Sequence, residues 1–304
     1  MPLLSVVVPT RDRLERLKRA LDSLRAQTLD DLEVIVVDDG SSDGTPAYLS
    51  DLSAEDARIT SVHLDGGTGA AGARNRGMEK ASGEFLGFLD DDDEWRPNKA
   101  AEQIELMRAR PEVGLVSCNF VVDDTQRGTS LVHRGPQDYE REVLLWGNML
   151  MGCSFVMLRR SAFSFELSFD HAVVPAEDWD LWLRCSDEAG IATIPSPLCR
   201  YARHGAQLTG SLERLHRGDA GFLAKHEHRM SRNARAYHRA HLRMVAAGAG
   251  AVERMRARMR IVAETPAAVL GVMARVSVSG RIGAMTGDPG RPFRTLARAA
   301  GRLS

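Results

Sequence analysis

Continuous apolar runs alternate with helical patterns through the first half of the chain, and this alternation limits the possible folds more than any other feature. Strands are predicted at residues 5–8, 32–37, 59–64, 84–89 and 113–120. Helices are predicted between them, at residues 12–27, from residue 46, at 73–81 and at 97–108. Because successive residues of each run are apolar, we expect strands that are buried on both faces. The sequence therefore predicts an α/β fold with a mostly parallel sheet and helices on both faces.

The second half has a less regular pattern. Residues 121–150 predict a loop and a short helix, residues 155–159 a strand, and residues 178–188 a helix. After residue 211 the sequence is strongly helical and rich in arginine. These patterns predict a helical C-terminal extension that follows the α/β part.

Charge is distributed unevenly along a chain that is almost neutral overall. The 304 residues have a formal net charge of -1, which excludes a strong overall attraction to nucleic acid or to an anionic membrane. From Leu212 to Ser304, however, 18 Lys and Arg residues stand against 6 Asp and Glu residues, whereas the remainder has 22 against 35. We therefore expect an acidic body with a basic tail.

The sequence predicts neither a secretion signal nor a membrane span. The apolar run at residues 3–8 lacks a preceding basic segment and stops at Pro9. No uncharged apolar run approaches the roughly 18 residues that a spanning helix needs. The four cysteines show no CxxC spacing, which favours buried thiols over disulfides or zinc ligands. We expect a reducing, cytoplasmic location.

Four consecutive carboxylates, Asp90 to Asp93, directly follow the apolar run at residues 85–89. Ligands bind open α/β sheets outside the carboxyl ends of the strands, and hard divalent cations take oxygen ligands from Asp. Mutual repulsion makes such a cluster costly unless a cation or solvent relieves it. The cluster predicts a Mg²⁺ or Mn²⁺ site that holds a phosphorylated ligand, and the alternative is a solvated acidic turn.

Three other polar segments should lie at the same edge of a parallel sheet. Residues 9–12 (PTRD) follow the first strand, where the aspartate is alternatively a helix cap. Asp38 and Asp39 end the second strand and can accept hydrogen bonds from a nucleobase or a ribose, or else only form a turn. The Gly-rich residues 66–77 place Arg74 at a helix start, where it can pair with a diphosphate or a base; alternatively the loop is flexible and the arginine is solvated.

Six motifs in this order resemble the inverting family 2 glycosyltransferases, which have the A-type (GT-A) fold. The motifs are SVVVPTRDR at residues 5–13, VIVVDDGSSDGT at 34–45, GARNRG at 72–77, GEFLGFLDDDDEWRPNK at 83–99, EDWDLWLR at 177–184 and YARHG at 201–205. Together they span most of residues 3–211. The resemblance implies that the sheet is Rossmann-like, and the C-terminal helical extension is added to it.

The resemblance also implies a nucleotide-sugar site at the carboxyl edge of the sheet. Its residues in this chain would be Pro9, Thr10, Arg11, Asp39, Arg74, Asp90 and Asp91. In the family, the second aspartate of the VVDDGS motif contacts the base, and the middle aspartate of the acidic motif contacts the ribose. These two positions match Asp39 and Asp91.

For the metal, the resemblance implies Mn²⁺ or Mg²⁺ bound by Asp92 and His204. The run of four aspartates leaves the register open, and the spacing to Trp95 and Pro97 favours Asp92. His204 matches a histidine that binds the metal or the diphosphate in many members, although a single histidine can also be purely structural.

Asp178 matches the catalytic base of the family. It lies at a predicted helix start, where a carboxylate is also favoured simply by the helix dipole. Glu177 and Asp180 are close enough in sequence to raise its pKa. Trp179 and Trp182 of the same motif are expected in the core under either interpretation.

The implied activity is transfer of a single sugar from a nucleotide diphosphate sugar, with UDP or dTDP favoured, to an acceptor hydroxyl, with inversion. The Q-x-x-R-W motif and the membrane helices of processive polysaccharide synthases are absent from the sequence. This absence favours a discrete acceptor: a glycan, a lipid-linked sugar or a small molecule. No nucleic-acid partner is expected.

Three regions are expected along the chain. Residues 1–115 would form the nucleotide-sugar-binding half of a catalytic domain, residues 116–211 its acceptor-binding half, and residues 212–304 the basic helical extension. For the extension we expect a homodimer contact or a peripheral contact with the inner face of a membrane; the alternative is a solvated helical face packed on the body.

Two other functions remain open on the sequence alone. A nucleotidyltransferase that makes the sugar nucleotide predicts a Gly-rich loop directly after the first strand, but residues 9–13 contain no glycine. A non-catalytic sugar-nucleotide-binding protein would not need a base, yet Asp178 is present.

Overall fold

A computed structural model describes residues 1–124, 128–204 and 212–246. The strands are β1 (Leu4–Thr10), β2 (Leu32–Asp38), β3 (Ile59–His63), β4 (Phe85–Phe88), β5 (Glu94–Trp95), β6 (Val113–Asp124), β7 (Thr129–His133), β8 (Asp138–Tyr139), β9 (Met157–Arg159) and β10 (Gly190–Arg203). The helices are α1 (Leu14–Arg25), α2 (Thr45–Glu55), α3 (Gly69–Lys80), α4 (Lys99–Ala109), α5 (Arg141–Leu144), α6 (Glu177–Cys185), α7 (Leu212–His226) and α8 (Arg232–Ala246).

The strands form one sheet whose central part is parallel. Its order is β3-β2-β1-β4-β9-β6-β10-β5, with β7 beside β6 and β8 beside β10. β1 runs parallel to β2 and β4, β2 to β3, and β6 to β10. The short strand β9 is antiparallel to both β4 and β6, so β4 and β6 point the same way. The carboxyl ends of β1, β2, β4 and β10 therefore meet at one edge, and the predicted mostly parallel α/β sheet is confirmed.

Two apolar layers cover the sheet, one on each face. Alternate residues of β1 belong to opposite layers: Val7 packs in the layer of α3 and α6, whereas Val6 and Val8 pack in the layer of α1, α2 and α4. All seven residues of β1 are buried, which explains its uninterrupted apolar run. A side chain at Gly77 would collide with Val7, so this glycine lets α3 lie close against the sheet.

The helices α7 and α8 pack against α6. The Trp179 ring of α6 stacks on the Phe222 ring of α7 with 3.6 Å between their centroids. Trp179 and Trp182 are both buried, which confirms that they are core residues. Of the basic extension, residues 247–304 lie outside the described residues, and so do Arg254, Arg256, Arg258 and Arg260.

The second half of the sheet differs from the sequence-based expectation. The apolar pattern does not predict β10, because Pro195 and Pro197 interrupt it, and the pairing of β10 with β6 is correspondingly irregular between Ile194 and Cys199. Within residues 121–150, where a loop and a short helix are predicted, α5 is the short helix. The end of β6, β7 and β8 supply additional strands there.

Helix α3 begins at Gly69, four residues before its predicted start. Glycine is a poor helix former, so the pattern misses the first turn. Arg74 consequently lies inside the helix rather than at its start. None of the helices in the described ranges is both long enough and apolar enough to cross a bilayer.

Candidate active site

A cavity of about 500 Å³ opens at the carboxyl edge of the sheet. Nine of the ten predicted site residues line it: Pro9, Thr10, Arg11, Asp39, Arg74, Asp90, Asp91, Asp92 and Asp178. The other, His204, is not one of the lining residues, but its Nε2 lies 2.8 Å from Oδ2 of Asp92, which is. The fold thus brings together all the side chains that the sequence motifs single out.

Asp39 is buried at the end of β2, and the first turn of α3 holds its carboxylate. Oδ1 accepts hydrogen bonds from the hydroxyl and the backbone N–H of Thr68, at 2.7 and 3.0 Å, and Oδ2 accepts one from the Gly69 N–H at 2.9 Å. Arg11 lies 3.9 Å away and is mostly exposed. The sequence motifs do not identify Thr68, although its position just before a helix is a usable signal.

Asp12 does not cap α1. It has a positive φ of 51°, and its Oδ1 accepts hydrogen bonds from the backbone N–H and hydroxyl of Ser42, at 2.7 and 3.1 Å. The backbone N–H of Leu14, the first residue of α1, instead donates to Asp43 at 3.2 Å. These bonds join the loops after β1 and β2 into one wall of the cavity.

Arg74 is buried and pairs with carboxylates on both sides of the cavity. Nη2 lies 2.6 Å from Oδ1 of Asp90, and Nη1 lies 3.3 Å from Oε1 of Glu177. Its guanidinium also lies 5.5 Å from the centroid of the Phe169 ring. The alternative of a solvated arginine in a flexible loop is therefore wrong, because Arg74 links the acidic cluster to α6.

The remaining aspartates of the cluster are held individually rather than left to repel one another. Asp91 accepts hydrogen bonds from the Thr10 hydroxyl at 2.8 Å and from Arg13 at 3.0 Å, although burial raises its pKa to about 6. Asp93 is fully buried and accepts a hydrogen bond from the Ala202 N–H at 3.1 Å. Burial, together with the neighbouring carboxylates, raises the pKa of Asp93 well above its usual value.

Asp92 is surrounded by positively charged or neutral nitrogen atoms. In addition to His204, Nη1 of Arg13 lies 3.4 Å and Nη1 of Arg16 lies 3.8 Å from its Oδ2. Arg16 also contacts the His204 ring directly. The expected repulsion within the cluster is thus relieved by Arg13, which directly precedes α1, and by Arg16 of α1, and the alternative of a freely solvated acidic turn is wrong.

Asp92 and His204 fit the protein's share of a divalent-cation site. A carboxylate oxygen and an imidazole nitrogen face each other there, and both are ligands of Mn²⁺ in proteins. Among the residues that the structure describes, no group of three or more His, Cys, Asp or Glu side chains is arranged to hold a metal ion. Magnesium-type sites commonly use one or two carboxylates and take the remaining ligands from substrate phosphates.

Asp178 lies in the first turn of α6 and is partly exposed to the cavity. Its Oδ2 accepts a hydrogen bond from Nδ2 of Asn148 at 2.9 Å, and its Oδ1 accepts one from the Trp179 N–H at 2.6 Å. Burial and, secondarily, the charge of Glu177 raise the pKa of Asp178 to about 7. The sequence motifs do not identify Asn148, which lies 30 positions away.

Asp180 points away from Asp178, toward the C-terminal helices. It is fully buried and lies 2.7 Å from Nε2 of His226, 2.9 Å from Nζ of Lys225 and 2.9 Å from Nε of Arg184. Burial alone would raise the pKa of this carboxyl, but the hydrogen bonds from His226 and Lys225 hold it well below its usual value. Asp180 therefore fixes α6 to α7.

Comparison with known proteins identifies relatives over most of the α/β part. The family profile described as Glycosyl transferase family 2 matches residues 5–165, more than half of the chain. WfgD of Escherichia coli, named UDP-Glc:alpha-D-GlcNAc-diphosphoundecaprenol beta-1,3-glucosyltransferase, is 32% identical over 194 residues, which cover 63% of this chain and 73% of WfgD.

A second relative is matched over a smaller share of its own length. The putative teichuronic acid biosynthesis glycosyltransferase TuaG of Bacillus subtilis (strain 168) is 35% identical over 166 residues. The match covers 52% of this chain and 63% of TuaG, so the chain spans less than two thirds of that relative.

Two solved structures share the fold. S. aureus TarS 1-349 in complex with UDP-GlcNAc superposes with a TM-score of 0.62 at 16% identity, covering 89% of this chain and 84% of TarS 1-349. The mannosyltransferase PcManGT from Pyrobaculum calidifontis, in complex with GDP-Man and Mn2+, superposes with a TM-score of 0.58 at 20% identity, covering 94% and 88%. At such identities the likeness shows the fold alone.

The family match spans β1, β2, β4 and the acidic cluster, whereas Asp178 and His204 follow it in the sequence. The chain belongs to glycosyltransferase family 2 and has the GT-A fold.

Proposed function

We propose that this chain is a glycosyltransferase that moves one sugar from a nucleotide diphosphate sugar to an acceptor hydroxyl, with inversion and with dependence on a divalent cation. The position of Asp178 carries the proposal. Its carboxylate faces the same cavity as the acidic cluster. In contrast to Asp91 and Asp92, it forms no ion pair with any described residue; its hydrogen bonds come from two neutral N–H groups. A carboxylate in this environment is free to accept a proton.

The donor is assigned to the side of the cavity formed by the ends of β1, β2 and β4. The binding residues are Pro9, Thr10, Arg11, Asp39, Arg74, Asp90 and Asp91. A carboxylate has about four acceptor positions, so Asp39 retains capacity for a base N–H beside its three hydrogen bonds. UDP or dTDP is the favoured nucleotide. The UDP-GlcNAc complex of TarS and the UDP-Glc in the name of WfgD support this class, whereas the GDP-Man complex of PcManGT shows that the fold also accommodates guanine.

The cation, Mn²⁺ or Mg²⁺, is assigned to Asp92 and His204. When bound, it would act as a Lewis acid on the leaving diphosphate. The Mn2+ in the PcManGT complex supports the use of a divalent ion. Arg13 and Arg16 lie beside the same carboxylate and supply further positive charge where the diphosphate would lie.

Asp178 is assigned as the general base. It takes the proton of the acceptor hydroxyl as that oxygen attacks the anomeric carbon from the face opposite the leaving group. A single displacement of this kind inverts the anomeric configuration, whereas retention by double displacement needs a separate nucleophile. A pKa of about 7 makes Asp178 a stronger base than an ordinary aspartate while leaving a large ionised fraction at neutral pH.

The acceptor is assigned to residues 116–211 and the donor to residues 1–115, as halves of one catalytic domain. Asn148 and Asp178, which belong to the acceptor half, face the donor residues across the cavity. The candidate acceptors are a glycan, a lipid-linked sugar and a small molecule. The diphosphoundecaprenol-linked sugar in the name of WfgD supports the lipid-linked class.

A panel of nucleotide sugars with Mn²⁺ tests the proposal. Saturating donor at about 100 times its dissociation constant adds about 2.7 kcal/mol, so the matching donor should raise the melting temperature by several degrees. With an acceptor, the enzyme should then release the free nucleotide, and the product should have the opposite anomeric configuration by NMR. Donor binding without turnover on any acceptor would favour a non-catalytic binding protein. Pyrophosphate release from a sugar phosphate and a nucleoside triphosphate would favour the nucleotidyltransferase.

A further inference from the structure

Asn148 uses both ends of its side-chain amide. Nδ2 donates to Oδ2 of Asp178 at 2.9 Å, and Oδ1 accepts from the backbone N–H of Met151 at 3.2 Å. The side chain is half-buried and lies in the segment between α5 and β9. One residue therefore connects the acceptor side of the cavity wall to the carboxylate assigned as base.

The turn at residues 148–151 has a constrained backbone. Met149 and Leu150 are buried in the core, whereas Met151 is 40% exposed and lines the cavity. Met151 has a φ of 71°, a conformation that residues other than glycine rarely adopt. Such a conformation persists only where the surroundings hold it, and here the Oδ1 atom of Asn148 accepts the Met151 N–H.

The hydrogen bond from Met151 also sets the orientation of the amide. Because a backbone N–H must face an acceptor, Oδ1 of Asn148 is directed toward Met151, and Nδ2 is left facing Asp178. An amide nitrogen donates but does not accept. Its hydrogen bond with Asp178 is therefore strongest when that carboxyl is ionised.

We propose that Asn148 is a positioning residue for Asp178, fixing the rotamer of the carboxylate and favouring its ionised form. The inference rests on the proposed role of Asp178 as base. Together with the Trp179 N–H on Oδ1, the Asn148 amide holds both carboxylate oxygens. Each oxygen keeps a further lone pair for the proton of the acceptor hydroxyl.

Besides Asn148, an anion (Glu177), a cation (Arg74) and a neutral thiol (Cys153) face Asp178. Glu177 on the same helix raises its pKa, as burial does, whereas Arg74 of α3 lowers it in the same direction as Asn148. Cys153, from the segment before β9, also faces Asp178; burial raises the pKa of its thiol well above the usual value, so it stays neutral. Asn148 is thus a neutral group that favours the ionised form of Asp178. The cation Arg74 acts in the same direction, and the anion Glu177 acts against it.

The test compares the wild type with Asn148→Ala, Asn148→Asp and a matched control, Asn119→Ala. Asn119 likewise makes two amide hydrogen bonds, to the Pro195 carbonyl at 2.7 Å and from the Gly135 N–H at 2.8 Å, and it does not line the cavity. Two readouts are used: the pH dependence of kcat/KM, and titration of the Asp178 carboxyl by ¹³C NMR, with the resonance assigned by its loss in Asp178→Asn.

We expect Asn148→Ala to raise both apparent pKa values by about one unit, the scale of a lost hydrogen bond to a charged group. Asn148→Asp should raise them further, because two adjacent carboxylates cannot both ionise easily. Asn119→Ala should leave both unchanged even if it lowers the melting temperature.

The two readouts separate this inference from the proposed mechanism. An unchanged NMR titration in the folded Asn148 variants overturns the inference, whatever their activity. Retained transfer by Asp178→Asn instead overturns the assignment of the base, while the NMR titration still decides the role of Asn148. If Asn148→Ala does not fold, Asn148→Leu, which has nearly the same shape as asparagine but no amide, carries the test.

Discussion

Nε2 of His204 lies 2.8 Å from Oδ2 of Asp92, so the residue that follows β10 contacts the acidic cluster that follows β4. The contact joins positions 112 residues apart in the sequence. It distinguishes Asp92 from the other three aspartates of the run, which bond to Thr10, Arg13, Arg74 or the backbone instead.

Removing either partner of this contact should weaken metal binding. For Asp92→Asn and His204→Ala we expect a loss of at least about tenfold in Mn²⁺ affinity, since changes to mere neighbours of metal ligands already cost 10–100-fold. The affinity is measured by electron paramagnetic resonance in the presence of UDP, and transfer should fall in parallel. Asp187→Asn, at an exposed ion pair, is the control. Full wild-type activity in excess chelator would contradict the assignment.

Asp92→Asn should not stabilise the fold. If the four aspartates were unpaired, removing one negative charge would relieve repulsion and raise stability. Arg13 and Arg16 neutralise Asp92, and partly exposed pairs of this kind contribute about 0–1 kcal/mol. We therefore expect a melting temperature equal to or slightly below that of the wild type. A clear rise in melting temperature would show that repulsion dominates after all.

Asp178→Asn should abolish most transfer while sparing the donor site. The asparagine keeps the shape of the side chain but cannot accept the acceptor's proton, so transfer should fall about 10²–10⁴-fold. Donor affinity with Mn²⁺, measured by calorimetry, should stay within about twofold because the donor residues are unchanged. In the wild type, kcat/KM should rise with pH through about 7, where Asp178 ionises. Near-normal turnover of Asp178→Asn would place the base elsewhere.

The same substitution should change how stability depends on pH. The pKa of Asp178 is about 7 in the folded protein and about 3.9 when unfolded. The contribution of the Asp178 carboxyl to the free energy of unfolding is therefore fully present below pH 4 and is lost as the pH rises to 7. The melting temperature of Asp178→Asn relative to the wild type should rise between these pH values and then level off. A pH-independent difference would contradict the raised pKa.

Arg74→Met should destabilise the protein strongly. The guanidinium pairs with Asp90 and Glu177, and removing one partner of a buried ion pair costs about 3–5 kcal/mol because the other charge is left uncompensated. The pKa of Asp178 should also rise, since Arg74 lowers it. Chemical denaturation and the ¹³C titration measure the two effects. Arg76→Met, at an exposed pair with Glu79, should do neither.

Asp180→Asn should affect stability far more than chemistry. We expect turnover per folded molecule to stay close to normal because Asp180 faces α7. Because folding lowers the pKa of Asp180, its carboxylate stabilises the folded protein at pH values above the pKa of the unfolded carboxyl. This stabilisation is lost as the pH falls. Unfolding at pH 7 should therefore become easier by about 3–5 kcal/mol. A double-mutant cycle with Lys225→Met should show strong coupling; additive effects would argue against this pairing.

The basic extension should act through residues beyond 246. We expect the full chain, but not residues 1–246, either to bind anionic vesicles in flotation or to form a dimer in light scattering. Charge reversal of Arg254, Arg256, Arg258 and Arg260 should abolish vesicle binding. A full chain that stays monomeric and does not float would discard both roles and leave a solvated helical face.

The sequence by itself determined the sheet and the position of the cavity. Apolar periodicity is a local property, so the runs at β1, β2 and β4 are readable without knowing their partners. Strands that run parallel end at the same edge, and the polar loops that follow them must then meet. The motifs consequently locate nine cavity residues, including Asp39, Arg74 and Asp178.

Only the tertiary structure decided how these carboxylates are held and what pKa they have. Arg13 reaches Asp91, 78 positions away, Asn148 reaches Asp178, 30 positions away, and His204 contacts Asp92, 112 positions away. β10, the strand that precedes His204, is interrupted by two prolines, so the apolar pattern does not predict it. Desolvation and long-range hydrogen bonds depend on the packing of segments distant in the chain, and no local pattern encodes them.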